Sequence, residues 1–189
     1  GDVSQTVNPY SASSAEGIEQ VFPQGDTVKL VRSYRSTWEI TAFAQRISSN
    51  PNIIPMERHR EPPIVKGFDS NADEINELKY QIQLFRSSGH QAMAIICKTQ
   101  EQAGRIFSEL KPVGVNLLTP DSTSFINGVI ITTAHLAKGL EFDEVVIPFA
   151  SAKNYRTDVE RSMLYIACTR AMHKLMLLFT KELSPFIKM

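Results

Sequence analysis

Short apolar, β-branched runs recur along the chain and alternate with segments carrying helix-start signals. That alternation restricts the fold more than any other feature. The runs are Thr27–Arg32, Ile64–Phe68, Gln91–Cys97, Val115–Leu118, Val129–Thr133, Glu144–Phe149 and His173–Thr180. Several are apolar at consecutive positions, as strands are when helices cover both faces of a parallel sheet. Between them, the capping-box pattern S/T-x-x-E/Q occurs at Ser13–Glu16, Ser36–Glu39, Thr99–Gln102 and Thr157–Glu160. These signals predict helices near 14–21, 37–48, 70–88, 100–111 and 158–171, with Gly89 and Gly114 at two helix stops. The expected architecture is an α/β domain with a mostly parallel sheet flanked by helices on both faces. The proline-rich stretch Asn50–Pro63 reads as a loop, and its Arg58-His59-Arg60 cluster as a solvated tip or a phosphate contact.

A chain of 189 residues can bury roughly 70% of its unfolded surface, enough for a core without disulfides or metals. Lys+Arg and Asp+Glu are 20 each, so the net charge is zero and any nucleic-acid contact has to be local. Both cysteines, Cys97 and Cys168, fall in apolar patterns and read as free buried thiols of a reducing, cytoplasmic compartment. The four histidines show no metal-ligand spacing. No apolar run reaches membrane length, so no membrane partner is expected.

Chemistry concentrates in four segments. Gly1-Asp2-Val3-Ser4-Gln5 is a polar start. Val31-Arg32-Ser33-Tyr34-Arg35-Ser36-Thr37 places a cation just ahead of a helix N-terminus. Arg35 reads there as a surface arginine paired with a carboxylate or as one offset by a bound anion. Strand Val129–Thr133 leads into His135-Leu136-Ala137-Lys138-Gly139-Leu140-Glu141-Phe142, where Thr133 and His135 can donate to a nucleic-acid backbone. Gly139 permits close approach or a positive φ, and Glu141 can accept from a ribose hydroxyl. In the helix that opens at Thr157 and carries Glu160–Ala171, positions Val159, Met163, Leu164, Ala167 and Ala171 form an apolar stripe, with Arg161, Tyr165 and Cys168 on another side. Arg170 near the helix end suits the dipole and has a bland capping explanation there.

In order, these segments resemble the third, fourth, fifth and sixth motifs of the UvrD/Rep-type superfamily 1 DNA helicases. The resemblance implies a RecA-like second motor domain of the P-loop NTPase type, although no G-x-x-x-x-G-K-S/T loop occurs in the chain. On that basis residues 1–25 are expected to be the tail of a first motor domain plus linker, and 26–189 the second RecA-like domain. The implied ATP-site residues are Arg170 as arginine finger, Arg35 on the phosphates, Gln5 as γ-phosphate sensor, Tyr34 on the adenine, and Gly139 and Glu141 on the nucleotide sugar side. Thr133 and His135 are implied on nucleic acid.

ATP with Mg²⁺ would be held largely by a missing N-terminal domain, which is the implied partner in cis. Single-stranded or duplex DNA is the implied track. The stretch from Arg35 to Thr133 is filled by elements of the sheet itself, leaving no room for the large helical insertion of UvrD and Rep. This and the wording Tyr-Ile-Ala-Cys-Thr-Arg-Ala-Met-His-Lys resemble the HelD-like branch, some members of which act on RNA polymerase. The competing reading is a non-catalytic RecA-like docking module of a nucleic-acid or RNA polymerase remodelling factor.

Overall fold

The computed structural model describes residues 32–48, 54–122 and 127–188. Gln5, the expected helix near 14–21 and the strand Thr27–Arg32 apart from its last residue lie outside them. The elements, in order, are β1 (Arg32–Ser33), α1 (Trp38–Ile47), β2 (Ile54–Pro55), β3 (Ile64–Phe68), α2 (Asn71–Ser87), β4 (Ala92–Cys97) and α3 (Gln100–Leu110). They continue with β5 (Asn116–Leu117), β6 (Gly128–Thr133), β7 (Phe142–Ile147), α4 (Asp158–Cys168) and β8 (Ala171–Thr180). Six strands form one sheet in the order β3-β8-β7-β4-β6-β5, and every pairing in it is parallel. β1 and β2 form a separate parallel pair, Arg32 opposite Ile54.

The sheet is covered on both faces, as the continuous apolar runs require. In β4, Ala92, Ala94 and Ile96 join one core with Ile40 and Phe43 of α1 and Leu164 and Ala167 of α4. Met93, Ile95 and Cys97 join the other with Leu78 and Ile82 of α2 and Ala103 and Ile106 of α3. Both thiols are free and buried.

The expected helix starts are present at four of these elements, with one shift of frame. Thr99 and Thr157 cap α3 and α4 through their side-chain oxygens, and at Thr157 both halves of the capping box form. Ser70 caps α2. At α1 the cap is Thr37 rather than Ser36, because the Ser36 hydroxyl donates instead to the Ala171 carbonyl at 2.6 Å. Gly89 and Gly114 sit at the expected stops with φ of 79° and 70°.

Three expected boundaries move. The strand expected over Glu144–Phe149 begins earlier, since Phe142 already pairs with Ala171 across a register irregularity. It stops at Ile147, and Phe149 turns left-handed at φ 56°, its N–H donating to the buried Glu74 carboxylate at 2.9 Å. The helix expected over 158–171 ends at Cys168, because Ala171 has entered β8. The single apolar stripe foreseen on that helix is also too narrow: Leu164, Tyr165, Ile166, Ala167 and Cys168 are all buried, while Val159 is exposed. The stretch Asn50–Pro63, read as a loop, contributes β2.

Ile95, fully buried in the central strand, is a direct test of this core. Ile95→Ala should lower the unfolding free energy by about 2–5 kcal/mol. Tyr80→Ala on the exposed face of α2 should change it by less than about 0.5 kcal/mol. Urea denaturation of the two variants checks both.

Candidate functional site

Because the strands are parallel, the sheet has one edge of amino ends and one of carboxyl ends, and the sequence-predicted residues divide between them. At the amino edge, β7 and β8 begin side by side, and the Phe142 N–H donates to the Arg170 carbonyl at 3.0 Å. This sets Glu141 and Arg170, the residues just ahead of each strand, next to one another. The turn between β1 and α1 packs onto the same place. Arg35 Nε donates to Glu141 Oε1 at 2.5 Å, and Ser36 holds the Ala171 carbonyl. Thus Arg35, Glu141 and Arg170, remote in sequence, share one edge. The Arg35 and Glu141 side chains remain partly accessible, at 33% and 44%. Tyr34 is 67% exposed beside them.

Arg170 differs from the other two. Its side chain is buried and donates from Nε to the Ile166 carbonyl at 3.2 Å, from Nη1 to the Leu140 carbonyl at 3.3 Å, and from Nη2 to Thr169 Oγ1 at 3.2 Å. The guanidinium both finishes α4, where last-turn carbonyls lack helical partners, and pins the residue preceding Glu141.

A polar cluster adjoins this edge. Asp143 Oδ2 accepts from the N–H groups of Gln91 and Ala92, each at 2.9 Å. Burial raises the Asp143 carboxyl, but those amides outweigh it and hold it below its usual range. His90 Nδ1 lies 2.9 Å from Glu144 Oε1, and the His90 and His173 rings stack at 5.3 Å.

At the opposite, carboxyl edge, Thr133 ends β6. Its side chain is buried and its Oγ1 accepts from the Leu136 N–H, so the hydroxyl expected to face nucleic acid is turned inward. His135, Lys138 and Gly139 are exposed. The connection from β6 to β7 therefore starts at the carboxyl edge and ends at the amino edge, with Ala134 and Ala137 buried beneath it in the α1/α4 core. Gly139 has φ 90°, and open space surrounds the position of a Cβ. The glycine is needed for its backbone angle rather than for close approach.

Lys98, just beyond β4, lies on this side. Its Nζ donates to the Asn154 carbonyl at 2.7 Å and to the Glu160 carboxylate. Glu160 Oε2 also accepts from the N–H groups of Arg156 and Thr157. Burial raises the Glu160 carboxyl, yet these donors prevail and hold it at about 2.

Sequence reasoning missed two residues. Ser36 holds the expected cap position, but its hydroxyl donates to the Ala171 carbonyl and Thr37 takes the cap. The Arg58-His59-Arg60 cluster reads in the sequence as a solvated tip or a phosphate contact, yet Arg58 Nη2 donates to the carbonyls of Arg35 at 2.5 Å and Met172 at 3.4 Å. No local signal marks either contact, since both depend on where β8 begins. Among the described residues there is no cluster of His, Cys, Asp or Glu able to hold a metal, and no helix long and apolar enough to cross a membrane.

An all-parallel six-stranded sheet covered by helices matches a RecA-like helicase C-terminal domain. The family model described as the UvrD-like helicase C-terminal domain matches residues 128–178, which span β6 to the end of the β8 core. A solved structure, the C-terminal domain of a possible DNA helicase from Lactobacillus plantarum WCFS1, is 32% identical. The alignment covers 82% of this chain and 92% of that one with a TM-score of 0.69. The chain belongs to the UvrD-like helicase C-terminal domain family. The arterivirus nonstructural protein 10 helicase, solved with DNA, is 12% identical, with 62% of this chain and 28% of that chain covered and a TM-score of 0.43. The UvsW helicase of bacteriophage T4 is 8% identical, with 89% and 61% covered and a TM-score of 0.40. At those scores neither likeness bears on the chemistry here. No curated protein matches the chain.

The depressed Glu160 carboxyl makes a pH prediction. Its folded pKa lies below its ordinary 4.5, so the stability it contributes is fully present above about pH 4.5 and is lost as pH falls toward 2. Glu160→Gln should therefore destabilise the domain at neutral pH, with a deficit that shrinks between pH 4.5 and 2 in urea unfolding. A deficit constant across that window would assign the loss to packing.

Proposed function

We propose that this chain is the second motor domain of an ATP-dependent DNA helicase or translocase and that its amino edge forms one wall of an ATP cleft. The other wall, with the phosphate loop, would come from a first motor domain. The observation that carries the reading is the convergence of Arg35, Glu141 and the Arg170–Ala171 junction through direct contacts. Tyr34, exposed beside Arg35, supplies a face for the adenine, and Arg35 and Glu141 supply a cation and an acceptor for phosphate and sugar. The Arg35–Glu141 pair is easily exchanged for ligand contacts, because a partly exposed ion pair is worth only about 0–1 kcal/mol. Gln5 would complete the site as phosphate sensor, within a tail spanning residues 1–25. No metal-binding cluster lies among the described residues, and Mg²⁺ would be held by the nucleotide and the partner domain.

Arg170 reaches a γ-phosphate in this scheme only by giving up its hydrogen bonds to Ile166, Leu140 and Thr169 for phosphate oxygens. Such an exchange would couple nucleotide arrival to the end of α4 and to Leu140. The nucleic-acid track would lie on the carboxyl edge, where His135 and the Thr133 backbone are placed, with single-stranded or duplex DNA as the substrate. A HelD-like role on RNA polymerase and a cytoplasmic setting belong to the same proposal. The burial of Arg170 favours one competing reading, a docking module in which this arginine only secures the helix end.

Kinetics of the parent protein separates the two. Arg170→Ala should lower kcat by about 10³–10⁵-fold with a much smaller change in ATP affinity, because a finger acts on charge that develops in the transition state. A variant with an ordinary kcat and only a reduced Tm would leave Arg170 as a helix-end group and remove the finger role, whereas a parent with no ATP turnover at all would establish the docking module. The 189-residue chain by itself should show no ATP turnover above a protein-free control, since it has no phosphate loop.

A further inference from the structure

We propose that Arg58 is the positioning residue for Arg35: it fixes the backbone from which Arg35 reaches the nucleotide cleft. The inference rests on the motor-domain reading for its consequence in catalysis, but its structural basis is independent of it. Arg35 lies in a turn with neither helix nor strand to hold it, between β1 and the Thr37 cap. A guanidinium presented from such a turn points reproducibly only if the main chain beneath it is tied down. One tie is Ser36 Oγ to the Ala171 carbonyl. The other is Arg58, whose Nη2 donates both to the Arg35 carbonyl at 2.5 Å and to the Met172 carbonyl at 3.4 Å. A single terminal nitrogen thus joins the Arg35 turn to the first residues of β8.

Arg58 can act in this way because it is itself held. The Trp38 N–H donates to the Arg58 carbonyl at 2.9 Å, and the Arg58 N–H donates to the Met56 carbonyl at 2.8 Å. The next residue, His59, places Nδ1 2.8 Å from Glu39 Oε1, and the Arg60 N–H donates to Glu39 Oε2 at 3.0 Å. The Trp38 and His59 rings lie 5.6 Å apart. Residues 56–60 therefore wrap the first turn of α1 and aim Arg58 back beneath Arg35. Its Nε is buried and has no acceptor among the described residues, so the grip runs through Nη2. Through that nitrogen Arg58 acts on the Arg35 main chain.

Two measurements test this. In ¹⁵N spectra of the chain, the Arg35 Nε–H bonded to Glu141 should give a protected signal, and Arg58→Met should broaden it or move it to the exchanging position of a free arginine. Arg58→Lys, which keeps a donor, should restore it in part. In the parent protein Arg58→Met should lower kcat about 10²-fold, the scale of a misplacement near 1 Å, with a smaller effect on KM for ATP. An unchanged Arg35 signal in a folded Arg58→Met domain overturns the positioning role. Should that variant fail to fold, an Arg58→Lys domain with a fully exchanging Arg35 Nε–H overturns it equally. An Arg35→Ala parent with ordinary kcat would instead overturn the nucleotide-cleft reading, and the spectra would still report the brace.

Discussion

The hydrogen bond from the Phe142 N–H to the Arg170 carbonyl starts the β7–β8 ladder, and the candidate site depends on it. It places Glu141 and Arg170 side by side through the main chain. The rest of the edge is assembled on that foundation: Ser36 reaches Ala171, Arg170 reaches Leu140, and Arg35 reaches Glu141. A parallel sheet makes this economical, since residues immediately preceding neighbouring strands arrive at one edge whatever their distance in sequence.

The two arginines of this edge occupy opposite energetic regimes. Arg35 is partly exposed and paired with a partly exposed carboxylate, so its interaction is weak and replaceable. Arg170 is buried against carbonyls and a hydroxyl, and removing a buried charge from its partners is costly. Any ligand that recruits both would meet one group ready to turn and another that must first surrender a structural task. On the proposed function, that asymmetry would give the edge a graded response: capture first, then rearrangement of the end of α4.

Most of the sheet was legible because its strands are apolar on both faces and its helices carry caps. Ala92–Cys97, buried at every position, and the caps at Thr99 and Thr157 fall where the sequence places them. Boundaries set by tertiary pairing were not legible. Ala171 belongs to β8 only because Phe142 stands opposite, and Ile147 ends β7 because Phe149 turns toward Glu74. The same distinction applies at the site. The motif wording marked Arg35, Glu141 and Arg170, and their proximity agrees with a shared edge. The inward turn of the Thr133 hydroxyl, the burial of Arg170 and the reach of Arg58 are products of packing, and no local pattern encodes them.

The passage from β6 to β7 is fixed chiefly by main-chain atoms and two buried alanines. The Ala134 N–H meets the Cys97 carbonyl, the Ala137 N–H meets the Thr133 carbonyl, and the Leu140 N–H meets the Ala137 carbonyl. The exposed side chains of His135 and Lys138 take no part in those three bonds. The route of the chain is thus written in one set of atoms and its outward chemistry in another. Mutation can explore the second while the first stays constant. Such a segment is evolvable: what the carboxyl edge displays can drift through many identities while Glu141 is still delivered to the same place on the far side of the sheet.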